Sequence, residues 1–250
     1  MIARLFAGRG RPEPSGPAGT RLYAVGDIHG RVDLVRSLTT LVADDARRHR
    51  APRNVVIFLG DYIDRGAQSR EVIELLMHEP LAGFEHVHLR GNHEDVMLRF
   101  LDDIAVGPSW LAFGGRETLA SYGVEAPYPD APPDELDRAR RALARSLPPA
   151  HHDFLSRLVF RYDAGDYVFV HAGVRPGVPL DRQVPQDLMW IRDEFLFSGD
   201  DFGRIVVHGH SISPVPEVRH NRIGIDTGAY RTNRLTCLVL DGTASSFLQT

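Results

Sequence analysis

Short apolar runs alternate with amphipathic stretches in the first hundred residues of the chain. Three runs are short and are bounded by turn residues, which predicts buried strands at Leu22–Val25, Val55–Leu59 and Glu85–Leu89. A stretch with apolar residues at helical spacing follows each run, most clearly over residues 32–48. The repeated order of strand, loop and helix predicts an α/β sheet with crossover helices.

The pattern changes twice after residue 100. Residues 100–155 predict a helical insert beside the sheet rather than a second domain, with an interruption at Gly114-Gly115 and with Asp134 capping a helix that ends near Leu147. Short apolar runs then return, and their close spacing favours antiparallel strands. These strands are predicted at residues 158–162, 167–170, 205–207, 218–219, 223–225, 235–240 and 246–248. The predicted fold class is α/β, with two packed mixed β-sheets flanked by helices as an α/β/β/α sandwich.

The composition is that of an ordinary globular protein. The chain has 250 residues, of which 43% are hydrophobic and 25% charged, as in ordinary globular proteins. Residues 1–20 include a stretch rich in Gly, Pro and Arg and are predicted to be flexible, and residues 21–250 are predicted to form a single domain. A net charge of −4 and a pI near 6.3 give no basic field, which excludes nucleic acid and membrane lipid as expected partners.

Neither a membrane segment nor a secretory signal is predicted. An apolar run of about 18 residues is absent, and the N-terminal apolar stretch is too short for a signal peptide. A cytoplasmic protein is therefore expected. Cys237 is the single cysteine of the sequence, and its apolar surroundings predict a buried structural thiol.

Polar clusters follow five of the apolar runs, at the points where the predicted strands end. In an open α/β sheet, groups at the carboxyl ends of strands collect at one edge, so we expect the clusters to converge. A mixture of His, Asp and Asn ligands suits Mn, Fe or Zn better than Ca or Mg alone. The clusters are 26–30, 60–66, 91–94, 171–173 and 208–210.

The candidate ligands of a dinuclear metal site come from these clusters. Two carboxylates facing two divalent ions leave the site positive even after a bridging hydroxide is added, so it would attract a phosphate dianion and activate water. This predicts in-line hydrolysis of a phosphate ester. The candidate ligands are Asp27, His29, Asp61, Asn92, His171 and His210.

These motifs, in this order, resemble the phosphoprotein phosphatase (serine/threonine phosphatase) family of calcineurin-like metallophosphoesterases, in particular its bacterial and phage lambda-type branch. The resemblance covers roughly residues 22–240 and includes Trp110, Gly114-Gly115 and residues 225–229. It implies that Asp61 bridges the two metal ions. It also implies that Asp27 and His29 complete the first metal site, and that Asn92, His171 and His210 complete the second.

The catalytic roles also follow from the resemblance. His93, paired with Asp64, would protonate the leaving oxygen, while Arg65 and Arg192 would hold the phosphate. An Asp64 carboxylate would fix the tautomer of His93 and favour its protonated form. Arginines suit the phosphate role because their contacts are bidentate and strengthen as charge develops.

The activity that the resemblance implies is a metal-dependent serine/threonine protein phosphatase, with dual specificity as a variant. It would act on a phosphoprotein or phosphopeptide by direct attack of a metal-bridging hydroxide, with two divalent ions: manganese, or alternatively iron or zinc. Neither the physiological substrate nor the oligomeric state is predicted.

Two alternatives stay open. The first is a dinucleoside polyphosphate (diadenosine tetraphosphate) hydrolase on the same scaffold. Such enzymes typically have alanine in place of Asp64 and aspartate in place of Glu94, so both residues favour the phosphatase. The second is a catalytically silent binding module, against which the intact ligand set and the His93–Asp64 pair argue.

Simpler roles are predicted for several other residues. His86, His88 and His208 are expected to be structural residues of strands, and His151 and His152 solvated loop residues. Glu94 is expected to begin a helix. For Tyr230 two roles stay open, lining the pocket or packing in the core.

Overall fold

A computed structural model describes residues 13–250. Of the segment predicted to be flexible, residues 1–12 lie outside the described part. Just before the first strand, Gly16 N donates to Gly242 O at 2.9 Å and Asp166 N donates to Ser15 O at 2.9 Å. This stretch of chain therefore contacts one turn from each of the two sheets.

The first sheet contains both parallel and antiparallel strands. Its members are β1 Thr20–Val25, β2 Arg53–Phe58, β3 Glu85–His88, β9 Thr236–Asp241 and β10 Ala244–Gln249. Their spatial order is β10-β9-β1-β2-β3. The pairs β1–β2 and β2–β3 are parallel, and β1–β9 and β9–β10 are antiparallel.

The second sheet is mixed as well. Its members are β4 Arg161–Ala164, β5 Tyr167–Val170, β6 Ile205–His208, β7 Glu217–Val218 and β8 Arg222–Gly224. Their spatial order is β4-β5-β6-β8-β7. The pairs β4–β5 and β7–β8 are antiparallel as predicted, but β5–β6 and β6–β8 are parallel, so that part of the prediction was wrong. The connection over residues 171–204 is long enough for the crossover that a parallel pair needs.

Helices cover the outer faces of both sheets. They are α1 Val32–Arg48, α2 Ser69–Met77, α3 Asn92–Asp102, α4 Gly107–Trp110, α5 Arg116–Ser121, α6 Pro133–Ser146, α7 Pro149–Ser156, α8 Pro185–Trp190, α9 Asp193–Leu196 and α10 Ala229–Thr232. A π-helical turn, Leu111–Gly115, joins α4 to α5. Among the described residues, no helix combines the length and apolarity needed to cross a membrane.

Three buried apolar clusters define the layers. Successive residues of a strand point to opposite faces, so Tyr23 of β1 packs among the helices α1 to α7 while Leu22 packs between the two sheets. Val168 and Val206 of the second sheet form the third cluster with residues of α8 and α9. The predicted sandwich of helices, sheet, sheet and helices is confirmed. Cys237 is buried in the first of these clusters, as predicted.

Three local predictions were wrong. β4 begins at Arg161 rather than at Leu158. Asp134 does not cap α6, because the helix begins at Pro133 and places this carboxylate inside its first turn. His151 lies in α7 and is 2% exposed, with its ring nitrogens 2.9 Å from the Tyr122 hydroxyl and 2.7 Å from a Glu74 carboxylate oxygen. The helix directs the His151 side chain towards the core, whereas the neighbouring His152 is exposed.

Candidate active site

The polar clusters that follow β1, β2, β3, β5 and β6 meet at one end of the two sheets, as predicted. His171 shows the convergence best: its Nε2 lies 3.0 Å from Asn92 Oδ1 and 3.3 Å from Asp61 Oδ1. These three residues come from three separate connections of the chain.

The backbone turns sharply at several of these positions. His29, Asp61 and His210 have φ values of 47°, 50° and 61°, in the left-handed region that non-glycine residues rarely adopt. Conformations of this kind cost of order 1–3 kcal/mol each and cluster at functional sites.

His29, Asp61 and His93 form the first group of potential metal ligands, since one ligand atom from each lies within 4.8 Å of the others. His29 Nδ1 donates to Ile63 O at 2.8 Å, which fixes the tautomer and leaves Nε2 as an acceptor. That Nε2 lies 3.6 Å from Asp61 Oδ2 and is buried without a hydrogen-bond partner among the described residues.

Asp61 also belongs to the second group, with His171 and His210. His171 Nδ1 donates to Leu59 O at 2.9 Å, so its Nε2 faces the site. His210 Nε2 is buried, and within residues 13–250 it finds no partner. Asp61 therefore lies at the junction of both groups, where a bridging ligand was predicted.

Asp27 lies beside these groups without being a member of either. Its carboxylate accepts hydrogen bonds from His210 N at 3.0 and 3.1 Å. Burial and the neighbouring Asp226 raise the pKa of Asp27 well above its ordinary value. The Asp226 side chain is buried too, and its Oδ2 is unpartnered in the described part of the chain. The resemblance includes Asp226 within residues 225–229, but the local sequence does not indicate that it lies close to Asp27.

The buried Asp and His side chains of the site shift each other's pKa values. Burial alone would raise the pKa of Asp61, but the adjacent His171 and His93 hold it well below its ordinary value. Burial would lower the pKa of His171, but Asp61 raises it to about 10. Burial and His171 together lower the pKa of His210 to about 2. Metal binding requires neutral histidines and ionised carboxylates, so it would displace protons from this cluster.

These residues fit divalent metal ions. Buried carboxylates are costly unless a cation or a hydrogen-bond donor compensates them, and the free ring nitrogens of His29 and His210 are suitable ligands.

His93 and Asp64 form the predicted pair. His93 Nδ1 donates to Asp64 Oδ2 at 2.6 Å, and both side chains are buried. Burial lowers the pKa of His93, but Asp61 and the Asp64 hydrogen bond outweigh it, so the pKa is raised.

Asp64 is itself held by Trp110 and Thr118 of the helical insert and by Ser69 of α2. Trp110 Nε1 donates to Asp64 Oδ2 at 2.9 Å, and Thr118 Oγ1 donates to Asp64 Oδ1 at 2.5 Å. Asp64 N donates to Thr118 Oγ1 and Ser69 Oγ at 2.9 and 3.0 Å. Sequence reasoning assigned no site role to Thr118 or Ser69, because an ordinary hydroxyl residue in a helix carries no signal of its partner.

Arg65 lies next to this pair. Its Nη2 donates to His93 Nε2 at 3.2 Å, and its backbone N donates to Gly114 O at 3.2 Å. Gly114 has φ 111°, and a Cβ at this position would lie 2.5 Å from Arg65 N, so glycine is required here. Arg192 is exposed, and after burial and His171 its charge also contributes to lowering the pKa of His210.

Glu94 has a larger role than beginning a helix. It is the third residue of α3 and is fully buried, and its carboxylate accepts backbone N–H groups from both strand-end loops. Oε2 accepts from Gly91 N and Asp61 N, each at 2.9 Å, while Oε1 accepts from Tyr62 N at 2.7 Å and Ile63 N at 3.3 Å. Glu94 thereby fixes the loop that carries Asp61.

The histidines predicted to be structural do lie in such surroundings. His208 is buried and packs edge-to-face on Phe195, with its ring centroid at 5.1 Å. His88 stacks on Phe58 at 5.2 Å between ring centroids. Tyr230 is partly buried, and its ring contacts His29 and Arg65, which favours the pocket-lining alternative.

The fold and this cluster of His and Asp side chains define a metallophosphoesterase. Residues 20–240 match the family described as calcineurin-like phosphoesterase, and the chain belongs to that family.

Relatives with two different activities resemble the chain over most of its length. Serine/threonine-protein phosphatase 2 of Escherichia coli strain K12 is 35% identical over 231 residues, which cover 86% of this chain and 90% of the relative. Bis(5'-nucleosyl)-tetraphosphatase PrpE of Anoxybacillus flavithermus is 26% identical over 235 residues, which cover 86% and 88%.

Solved structures share the fold. A protein provisionally named diadenosine tetraphosphatase superposes with a TM-score of 0.61 at 21% identity, covering 94% of this chain and 98% of its own. The cold-active protein-tyrosine phosphatase of a psychrophilic Shewanella species gives 0.56 at 16% identity, covering 96% and 83%.

Proposed function

We propose that this protein is a metal-dependent phosphoprotein phosphatase that hydrolyses phosphoserine and phosphothreonine. The observation that carries the proposal is the buried His93–Asp64 hydrogen bond of 2.6 Å, which Trp110 and Thr118 reinforce. A histidine oriented in this way suits proton donation to the alkoxide that leaves from a phosphomonoester.

The proposed metal site uses the six ligands predicted from the sequence. We assign Asp27 rather than His93 to the first ion, although His93 belongs to the geometric group with His29 and Asp61, because His93 Nε2 already accepts from Arg65 at 3.2 Å and is the nitrogen proposed to carry the proton. Two ions, with manganese as the first choice, would supply Lewis acidity and an activated water.

The arginines of the site would bind and orient the phosphate. Arg65 donates to His93 Nε2, and a phosphate held by Arg65 would draw the guanidinium away from that nitrogen. His93 Nε2 would then be free to carry the proton that it gives to the leaving oxygen. Arg192, whose charge acts on His210, would provide a second cationic contact for the phosphate.

A second candidate is hydrolysis of dinucleoside tetraphosphates. The similarity to PrpE over 86% of the chain favours it. Asp64 and Glu94 argue against it, because alanine and aspartate are typical of such hydrolases at these two positions. In this protein Asp64 accepts from His93, and Glu94 accepts four backbone N–H groups from the loops around Asp61.

The test is a hydrolysis panel with Mn²⁺. Peptides bearing phosphoserine, phosphothreonine or phosphotyrosine are compared with diadenosine tetraphosphate by kcat/KM. We expect the phosphoserine and phosphothreonine peptides to be preferred. A preference for the dinucleotide would establish the second candidate, and no turnover of any substrate by metal-loaded protein would establish a silent binding module.

A further inference from the structure

Tyr230 lies against two residues of the site. Its ring centroid is 5.0 Å from Cζ of Arg65, which sits over the ring, and 5.5 Å from the centroid of the His29 ring at an interplanar angle of 84°. We propose that Tyr230 is a positioning residue that holds the Arg65 guanidinium in place to receive the phosphate. This inference rests on the phosphate-binding role proposed for Arg65.

The contact with Tyr230 is compatible with phosphate binding in a way that the contact with His93 is not. Arg65 now uses one N–H group on His93 Nε2, and a bound phosphate would compete for that group. A cation over an aromatic ring is attracted by the π electrons and uses none of the N–H donors for hydrogen bonding. The Tyr230 ring can therefore support Arg65 both before and after the phosphate arrives.

The segment that carries Tyr230 is itself fixed. Gly228, with φ 68°, precedes α10, and its N donates to Asp226 Oδ1 at 2.9 Å. At the other end of α10, Asn233 Oδ1 accepts from Arg31 Nη1 at 2.7 Å. Because Arg31 follows the loop of His29 directly, the segment that carries Tyr230 is held relative to the site at both ends.

Arg65 needs such support because its side chain is long and flexible. Its backbone is bound at Gly114, but several rotatable bonds separate the backbone from the guanidinium. Fixing those bonds in advance reduces the entropy lost when phosphate binds. Loss of the ring should therefore weaken phosphate binding without removing any group that contacts phosphate.

The experiment measures competitive inhibition by inorganic phosphate, with p-nitrophenyl phosphate as substrate and Mn²⁺ present. Tyr230→Leu should raise the inhibition constant roughly 5- to 10-fold, as expected for loss of a cation–π contact. Tyr230→Phe keeps the ring and should change the constant less than about 2-fold. Metal content is measured for both variants, since the ring also contacts His29.

The same substitutions in an Arg65→Ala background give a double-mutant cycle. A defect in folding or metal binding would appear in both backgrounds, whereas a positioning role predicts that Tyr230→Leu has no further effect once Arg65 is absent. Equal effects in the two backgrounds, or no effect in either, would overturn the inference. If Arg65→Ala itself left phosphate inhibition unchanged, the role of Arg65 in the proposed function would be wrong, which is a distinguishable result.

Discussion

His93 Nδ1 donates to Asp64 Oδ2 at 2.6 Å, and both residues are almost completely buried although they lie 29 positions apart in the sequence. The short distance means that the imidazole has one orientation, with Nε2 directed towards Asp61 and Arg65. A carboxylate in this position stabilises the imidazolium more than the neutral ring.

The first prediction concerns this pair. His93→Asn should lower kcat for a phosphopeptide by about 10²-fold or more, as expected for loss of a general acid. Metal content, measured by elemental analysis, should stay the same. The exposed His152→Asn serves as the control and should behave like the unaltered protein. Unchanged turnover in His93→Asn would remove the acid role.

Asp64→Asn should affect the same step with less disturbance of the site. The amide preserves the shape, but the imidazolium loses its charged partner, so kcat should fall while KM changes little. An equal rise in KM and fall in kcat/KM, with kcat intact, would indicate a role in binding instead.

Asp61→Asn tests the bridging assignment. Asp61 belongs to both groups of potential ligands, so loss of its charge should weaken both metal sites together. Equilibrium dialysis with Mn²⁺ should show reduced occupancy of the whole cluster. A variant that retained both ions would contradict the assignment.

Glu94→Gln should destabilise the protein. The carboxylate accepts four backbone N–H groups, and an amide would direct its own N–H groups at some of these donors. We expect a loss of about 3 kcal/mol in the free energy of unfolding, because buried donors lose their acceptor. Urea denaturation measures it, and Glu117→Gln in the exposed part of α5 is the matched control. A midpoint equal to that of the control would show that the carboxylate is not needed to hold the loop.

His88 predicts a pH dependence of stability. Burial and His86 lower the pKa of His88 to about 4, while the ring in the unfolded chain has a pKa of about 6.5. Between these values the unfolded state binds a proton that the native state does not, so this contribution destabilises the fold as pH falls from about 6.5 to about 4. Above about pH 6.5 the His88 ring is neutral in both states, so it makes no pH-dependent contribution to the free energy of unfolding.

His88→Phe should remove that contribution. The stacking on Phe58 would be kept, and the variant should gain melting temperature relative to the unaltered protein as the pH falls from about 6.5 to about 4. A pH-independent difference would show that His88 does not titrate on unfolding. His152→Phe, at an exposed position of the same chain, controls for the loss of a histidine.

The order of elements and the approach of the five clusters could be predicted, because apolar runs that end in glycine and polar residues identify strand ends. Sheet topology then brings those ends together without further information. The pairing within the second sheet could not be predicted from run spacing, because β5, β6 and β8 become parallel neighbours only through their crossover connections.

The hydrogen-bond partners of the buried polar side chains could not be predicted from the sequence either. The pattern around Thr118 and His151 is that of ordinary helix, and their contacts with Asp64 and Glu74 join segments far apart in the chain. Glu94 was recognised as a residue at a helix start, but the loop that it binds is positioned by β2, and only tertiary structure reveals that proximity.

The meeting of Gly114 with the backbone of Arg65 limits how this protein can be remodelled. Since position 114 leaves no space for a side chain, the α4–α5 region is fitted to the turn after β2 and is not a detachable module. Grafting this region from a distant lineage, or trimming it to make a minimal enzyme, would disturb Arg65 and Asp64 together. Variation in substrate choice is therefore expected in other loops around the site, which can lengthen or shorten without contacting the turn after β2.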